Sequence, residues 1–132
     1  MMQNMNWFHT LKKPFLAPPD WIFTPIWSIL YVMIFLSLVF FLKTSGSLRY
    51  KFLPIMFFTI QMILNFAWGY VFFSMQRIDL AFIVIIFLWL TLLITIVMFF
   101  KHSKTSAWLL VPYFLWVSFA TYLNYGYLKL NN

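Results

Sequence analysis

The sequence predicts an all-α integral membrane protein, a four-helix transmembrane bundle, and three observations predict it. Of 132 residues, 64% are hydrophobic and only 8% charged, against about 25% charged in soluble domains. The charges are clustered, leaving four neutral stretches at 21–42, 52–76, 80–100 and 105–128. As helices, at about 1.5 Å per residue, these stretches reach roughly 31–38 Å, enough to cross about 30 Å of hydrocarbon with some tilt. A water-soluble monomer is excluded, and a multi-pass position in a membrane is expected.

The elements follow in order within one domain, 1–132. Residues 1–20 read as an N-terminal loop, because Pro14, Pro18 and Pro19 deny helix continuation and favour extended backbone. Trp7, Phe8 and Phe15 give that loop bulky apolar groups suited to a membrane face. Lys12 and Lys13 stand where a secretory leader would have its apolar core, so the stretch is expected to stay in the mature chain. The first span opens at Trp21, with Pro25 near its start, where a missing backbone donor does least harm. It ends before Lys43 and a polar turn of Ser45, Gly46 and Ser47. The second span carries Pro54 in its first turn and Gly69 as its single glycine. Arg77 to Asp79 is so short a connection that the second and third spans must be antiparallel neighbours. The third is the most uniformly apolar and reads as lipid-facing scaffold. The fourth is interrupted by Pro112. Basic residues favour the side of Lys43, Arg49, Lys51, Lys101 and Lys104 over that of Lys12, Lys13, Arg77 and Lys129 by one. This slight bias puts the loop and both termini on the non-cytoplasmic face.

Composition also removes several kinds of chemistry. A net charge of +7 dispersed over loops and ends makes no continuous phosphate-tracking patch, so no nucleic-acid partner is expected. Without cysteine there is no disulfide, thiolate nucleophile or cysteine-held metal. His9 and His102 fall in loops, and Asp20 and Asp79 at span boundaries. With no acid, lysine, arginine or histidine in mid-span, a proton-coupled transporter lacks its coupling group. Acid–base and metal catalysis lack their parts for the same reason.

Neutral polar and aromatic side chains recur instead at helical spacing. Gln61, Asn65, Trp68 and Phe72 share one face of the second span, and Tyr113, Trp116, Ala120, Asn124 and Tyr127 one face of the fourth. The first span adds Thr24, Trp27, Ser28 and Tyr31. Carboxamides are costly against lipid, so the three stripes should converge inside the bundle. Two readings of them stand side by side. In one, Gln61, Asn65 and Asn124 hydrogen-bond between helices. In the other, the rings form a pocket for a large flat ligand that a few amides orient. Trp21, Trp108 and Tyr125, near span ends, read as interfacial anchors.

Three blocks of residues carry a resemblance. Trp7-Phe8 with Leu11-Lys12-Lys13-Pro14, Pro18-Pro19, Pro25-Ile26-Trp27 and Leu30-Tyr31 form the first. Gln61, Leu64, Asn65, Ala67, Trp68, Phe72 and Phe73 form the second, and Pro112-Tyr113, Trp116, Phe119-Ala120-Thr121 and Leu123-Asn124 the third. In order and spacing they resemble the TspO/MBR family of tryptophan-rich sensory proteins and translocator proteins. That resemblance implies a five-helix membrane fold around a pocket for porphyrins such as protoporphyrin IX, and in some members cholesterol or synthetic ligands. Because the loop motif starts within seven residues of Met1, the family's first helix is missing ahead of it: either the gene starts further upstream, or this is a short form with one wall of the bundle open.

Residue by residue, the resemblance implies that Trp27 and Trp116 are paired indoles facing the porphyrin, and the catalytic pair where members degrade porphyrin in light. Tyr31, Asn65, Trp68, Tyr113, Ala120 and Asn124 complete the implied ligand-binding set. The N-terminal loop, with Trp7, Lys12, Lys13, Pro18 and Pro19, is expected to cover the pocket, its ammonium groups meeting propionates. No separate cofactor is required, the porphyrin being ligand or substrate. Membrane lipid and a homodimeric partner are implied, in the cell membrane if the source is bacterial. Leu123, Tyr125 and Lys129 also resemble the cholesterol pattern of translocator proteins. Three functions follow as expectations: a porphyrin-binding sensor, carrier or regulator, a light-dependent porphyrin-degrading enzyme, or a structural subunit of a membrane complex.

Overall fold

A computed structural model describes residues 5–44, 46 and 48–131. The start of the N-terminal loop, and Ser45 and Ser47 of the polar turn, lie outside the described residues. A short helix α1 (Met5–His9) and a 3-10 turn (Asp20–Ile22) precede α2 (Phe23–Leu42), α3 (Leu48–Gly69), α4 (Ile78–Phe100) and α5 (Lys104–Asn131). Among the described residues four helices are long and apolar enough to cross a membrane, and the protein is a helical membrane bundle. The loop is thus less extended than its prolines suggest. Five residues ahead of them, Met5–His9, complete a helical turn, since no proline interferes until position 14.

Within the bundle, α5 packs against both α2 and α4, and α4 against α3. The seam between α2 and α3 is crossed mainly by long side chains, as where Tyr31 reaches Asn65. Small residues let backbones approach elsewhere: Ser37 Oγ donates to the Ser106 carbonyl at 2.7 Å, with Ala107 buried beside it. At the same end, the Lys51 ammonium donates to the carbonyls of Leu42 and Thr44, satisfying acceptors left open where α2 stops.

The last turn of α3 widens. Residues Tyr70–Ser74 form a π-helical turn in which Met75 N–H donates to the Tyr70 carbonyl and Arg77 N–H to the Val71 carbonyl. An α-helix cannot bury three successive side chains on one face. The wider turn does, and Val71, Phe72 and Phe73 are all buried.

The N-terminal segment is strapped down the outside of α5. Asn131 Oδ1 accepts from Lys12 N–H at 2.9 Å while its Nδ2 donates to the Lys12 carbonyl at 3.0 Å. Pro14 lies on Gly126 so closely that a Cβ at position 126 would come within 2.4 Å of the proline ring. Tyr122 Oη donates to the Phe15 carbonyl. Ala17 N–H closes a turn onto the Pro14 carbonyl, with Leu16 at φ 70 in the position glycine usually takes. Replacing Asn131 by alanine removes the two exposed hydrogen bonds to Lys12, about 1 kcal/mol together, along with one to the Tyr127 carbonyl of its own helix. Limited trypsinolysis after Lys12 is expected to run about fivefold faster in Asn131→Ala, with cleavage in the rest of the chain unchanged.

Candidate functional site

Tryptophans from three helices meet near the N-terminal end of α2. The Trp27 ring lies 6.3 Å from Trp68 on α3 and 6.4 Å from Trp116 on α5, edge-on to the latter at 87°. Their spacing comes from helix geometry: each indole sits on the inward stripe of its helix, and side chains four apart on α5 bring Ala120 and Asn124 above Trp116. Together they wall a cavity of about 30 Å³, room for roughly one water. Of the expected binding residues, Trp27, Trp68, Trp116, Ala120 and Asn124 line it.

Tyr31, Asn65 and Tyr113 do not line the cavity. One helical turn deeper they form a hydrogen-bonded chain across three helices. Tyr31 Oη donates to Asn65 Oδ1 at 2.7 Å, Asn65 Nδ2 donates to Tyr113 Oη at 2.7 Å, and Tyr113 Oη donates to Gln61 Oε1 at 2.9 Å. Asn124 is engaged as well. It accepts from Trp68 Nε1 at 2.8 Å and donates to the Ile78 carbonyl at 3.1 Å, tying α3 and the start of α4 to α5. The bundle therefore uses the amides of Asn65 and Asn124 itself. Three buried polar atoms are left without a partner among the described residues: Gln61 Nε2, Ser106 Oγ and Trp116 Nε1.

Phe8 was not among the expected site residues, yet it closes the cavity. It is 2% exposed, and its ring sits 5.1 Å from Tyr127, 5.5 Å from Phe73 and 5.9 Å from both Phe23 and Phe72. Phe23, Phe72, Phe73, Leu123 and Tyr127 also line the wall. Periodicity placed Phe72 and Tyr127 on the inward stripes, but Phe73 arrives there only through the π turn. Trp7 packs edge-on against Phe72 at 5.8 Å. Lys12, Lys13 and Pro19 are exposed and Pro18 half-buried, and none of the four reaches the cavity. Trp21, Trp108 and Tyr125 face outward, and Lys129 lies 5.7 Å from the Tyr125 ring. Leu123 points inward instead, so the residues of the cholesterol-like pattern fall on two faces of α5.

Among the described residues no group of histidine, cysteine or carboxylate side chains is placed to hold a metal ion. The Arg77–Asp79 ion pair, with both guanidinium contacts at 3.0 Å, is exposed at the turn into α4. A bundle of apolar helices around a neutral, aromatic cavity that its own N-terminal segment plugs defines a class, a multi-pass membrane protein with an interior apolar site. The chain belongs to the TspO/MBR family, whose profile matches residues 1–130. It is 40% identical over 127 residues to the tryptophan-rich protein TspO of Chlorobaculum tepidum, covering 96% of this chain and 80% of that one. To protein CrtK of Rhodobacter capsulatus it is 33% identical, covering 95% and 78%. To the translocator protein of Homo sapiens it is 31% identical, covering 93% and 73%.

Proposed function

We propose that the protein binds a porphyrin between its tryptophans and acts as a sensor, carrier or regulator of tetrapyrrole level in the membrane. The observation that carries this reading is the convergence of Trp27, Trp68 and Trp116, from three helices, on one uncharged cavity. Indole faces suit a flat aromatic ring, and apolar walls with few polar points suit a ligand drawn from the bilayer. A macrocycle is far larger than the space of about 30 Å³ left beside Phe8. Binding therefore requires α1 and the strap behind it to withdraw, which makes the segment from Trp7 to Pro19 the gate. Beyond Phe8 and Pro14, it is held to α5 by exposed hydrogen bonds between Lys12 and Asn131, the kind that open locally without unfolding the bundle.

Titration of the purified protein with protoporphyrin IX, followed by quenching of indole emission, tests the reading. Saturable binding is expected. The double variant Trp27→Phe with Trp116→Phe should weaken it about tenfold, from two indole faces cut down to smaller phenyl rings. Affinity unchanged by the double substitution counts against the assignment.

A further inference from the structure

Which part of a ligand the cavity recognises follows from its unsatisfied donors. Asn65 has both amide ends engaged, by Tyr31 and Tyr113, and Asn124 both of its own, by Trp68 and the Ile78 carbonyl. The Trp68 indole N–H is spent on Asn124. Trp116 differs. Its Nε1 is buried, has no acceptor, and belongs to a residue in the cavity wall. A buried donor left unpaired costs about 1–3 kcal/mol, and such groups in native structures are rare enough to call for a reason. Ring neighbours Phe23, Trp27 and Phe119 offer it no oxygen. Nor does the cavity offer a charge: among the residues lining it, none is acidic or basic.

We infer that Trp116 Nε1–H is the donor by which this cavity selects its ligand. It takes a flat apolar ring carrying a neutral hydrogen-bond acceptor at its edge, such as an ester, a ketone or an un-ionised carboxylic acid. The inference rests on the porphyrin reading and deepens it: the same indole that stacks also reads polarity. An ionised propionate is a poor match, because desolvating it opposite a single N–H in an uncharged wall is not repaid. A ring with only alkyl substituents leaves the donor unpaired and gains nothing from it.

Two porphyrins that share a macrocycle separate these cases: protoporphyrin IX dimethyl ester, whose side chains carry ester carbonyls, and etioporphyrin, whose side chains are all alkyl. Each is titrated into the detergent-solubilised wild type and into Trp116→Phe, with porphyrin fluorescence as readout. The wild type is expected to bind the ester about five- to tenfold more tightly, the worth of one buried hydrogen bond, and Trp116→Phe to bind both equally. Equal binding by the wild type overturns the inference and leaves the porphyrin reading standing. Binding of neither overturns both. A preference that survives Trp116→Phe assigns the donor elsewhere and overturns the inference too. Should Trp116→Phe not fold, wild-type protein labelled with nitrogen-15 at the Trp116 indole gives the same answer. Its N–H resonance moves downfield with the ester and not with etioporphyrin if the bond forms, and an unmoved resonance overturns the proposal.

Discussion

Phe8→Ala is expected to lower the thermal stability of the ligand-free protein markedly, and to make the protein more responsive to porphyrin than the wild type. The ring is enclosed by Phe23, Phe72, Phe73 and Tyr127. Removing a buried phenyl ring typically costs about 3–5 kcal/mol in lost dispersion contacts and residual cavity. Part of this loss is local, because it weakens the hold of α1 on the bundle as well as the bundle itself. The vacated space joins the existing cavity of about 30 Å³ and lies where a porphyrin must enter. A ligand that fills it restores contacts the variant lacks, whereas in the wild type the ligand must first expel Phe8. Thermal denaturation in detergent, with and without saturating protoporphyrin IX, reads both effects. The midpoint of Phe8→Ala should fall without ligand and recover by more than the wild type gains. An unchanged ligand-free midpoint shows that Phe8 is not the plug, and an equal ligand-induced gain shows that it does not compete with the ligand.

The position of Phe8 illustrates what the sequence conveys and what it withholds. Clustered charge and apolar length mark the four spans, since crossing hydrocarbon constrains composition along the whole helix. The inward aim of Trp68 and Trp116 is legible too, because a period of 3.6 puts them on stripes with Asn and Gln that lipid would reject, whereas Trp27 is buried although Thr24 and Ser28, expected to face inward with it, are exposed. Periodicity cannot say which amide meets which partner, however. An asparagine that binds a ligand and one that bridges helices have the same spacing, and only the three-dimensional register shows Asn65 between Tyr31 and Tyr113. Phe73 is invisible for a different reason: one wide turn rotates it by a fraction of a helical step, and no residue type announces a π turn. The strap on α5 depends on Gly126 lacking a side chain opposite Pro14, a contact between positions 112 apart in sequence. Local patterns do not register such pairs.

Asn65→Leu is the sharpest probe of how the bundle holds together beneath the cavity. Asn65 is fully buried and joins α2 to α5 by accepting from Tyr31 and donating to Tyr113, where α2 and α3 have little direct backbone contact. Leucine has nearly the same bulk, so the packing cost is small and the polar cost dominates. The Tyr31 hydroxyl loses its acceptor and the Tyr113 hydroxyl one of its two partners, while Tyr113 keeps Gln61. Interhelical hydrogen bonds in membrane proteins average about 0.6 kcal/mol and reach about 1.7 kcal/mol. Two of them give an expected loss of about 1–3 kcal/mol. The double variant Asn65→Leu with Tyr31→Phe should then be about as stable as Asn65→Leu alone, because Tyr31→Phe takes away a bond to Asn65 that Asn65→Leu has already broken. Denaturation midpoints of the two single variants and the double variant measure this coupling. Strict additivity would mean that Tyr31 and Asn65 do not share a bond that matters. A double variant as stable as Asn65→Leu, with porphyrin affinity kept in all three, places Asn65 in the frame beneath the site.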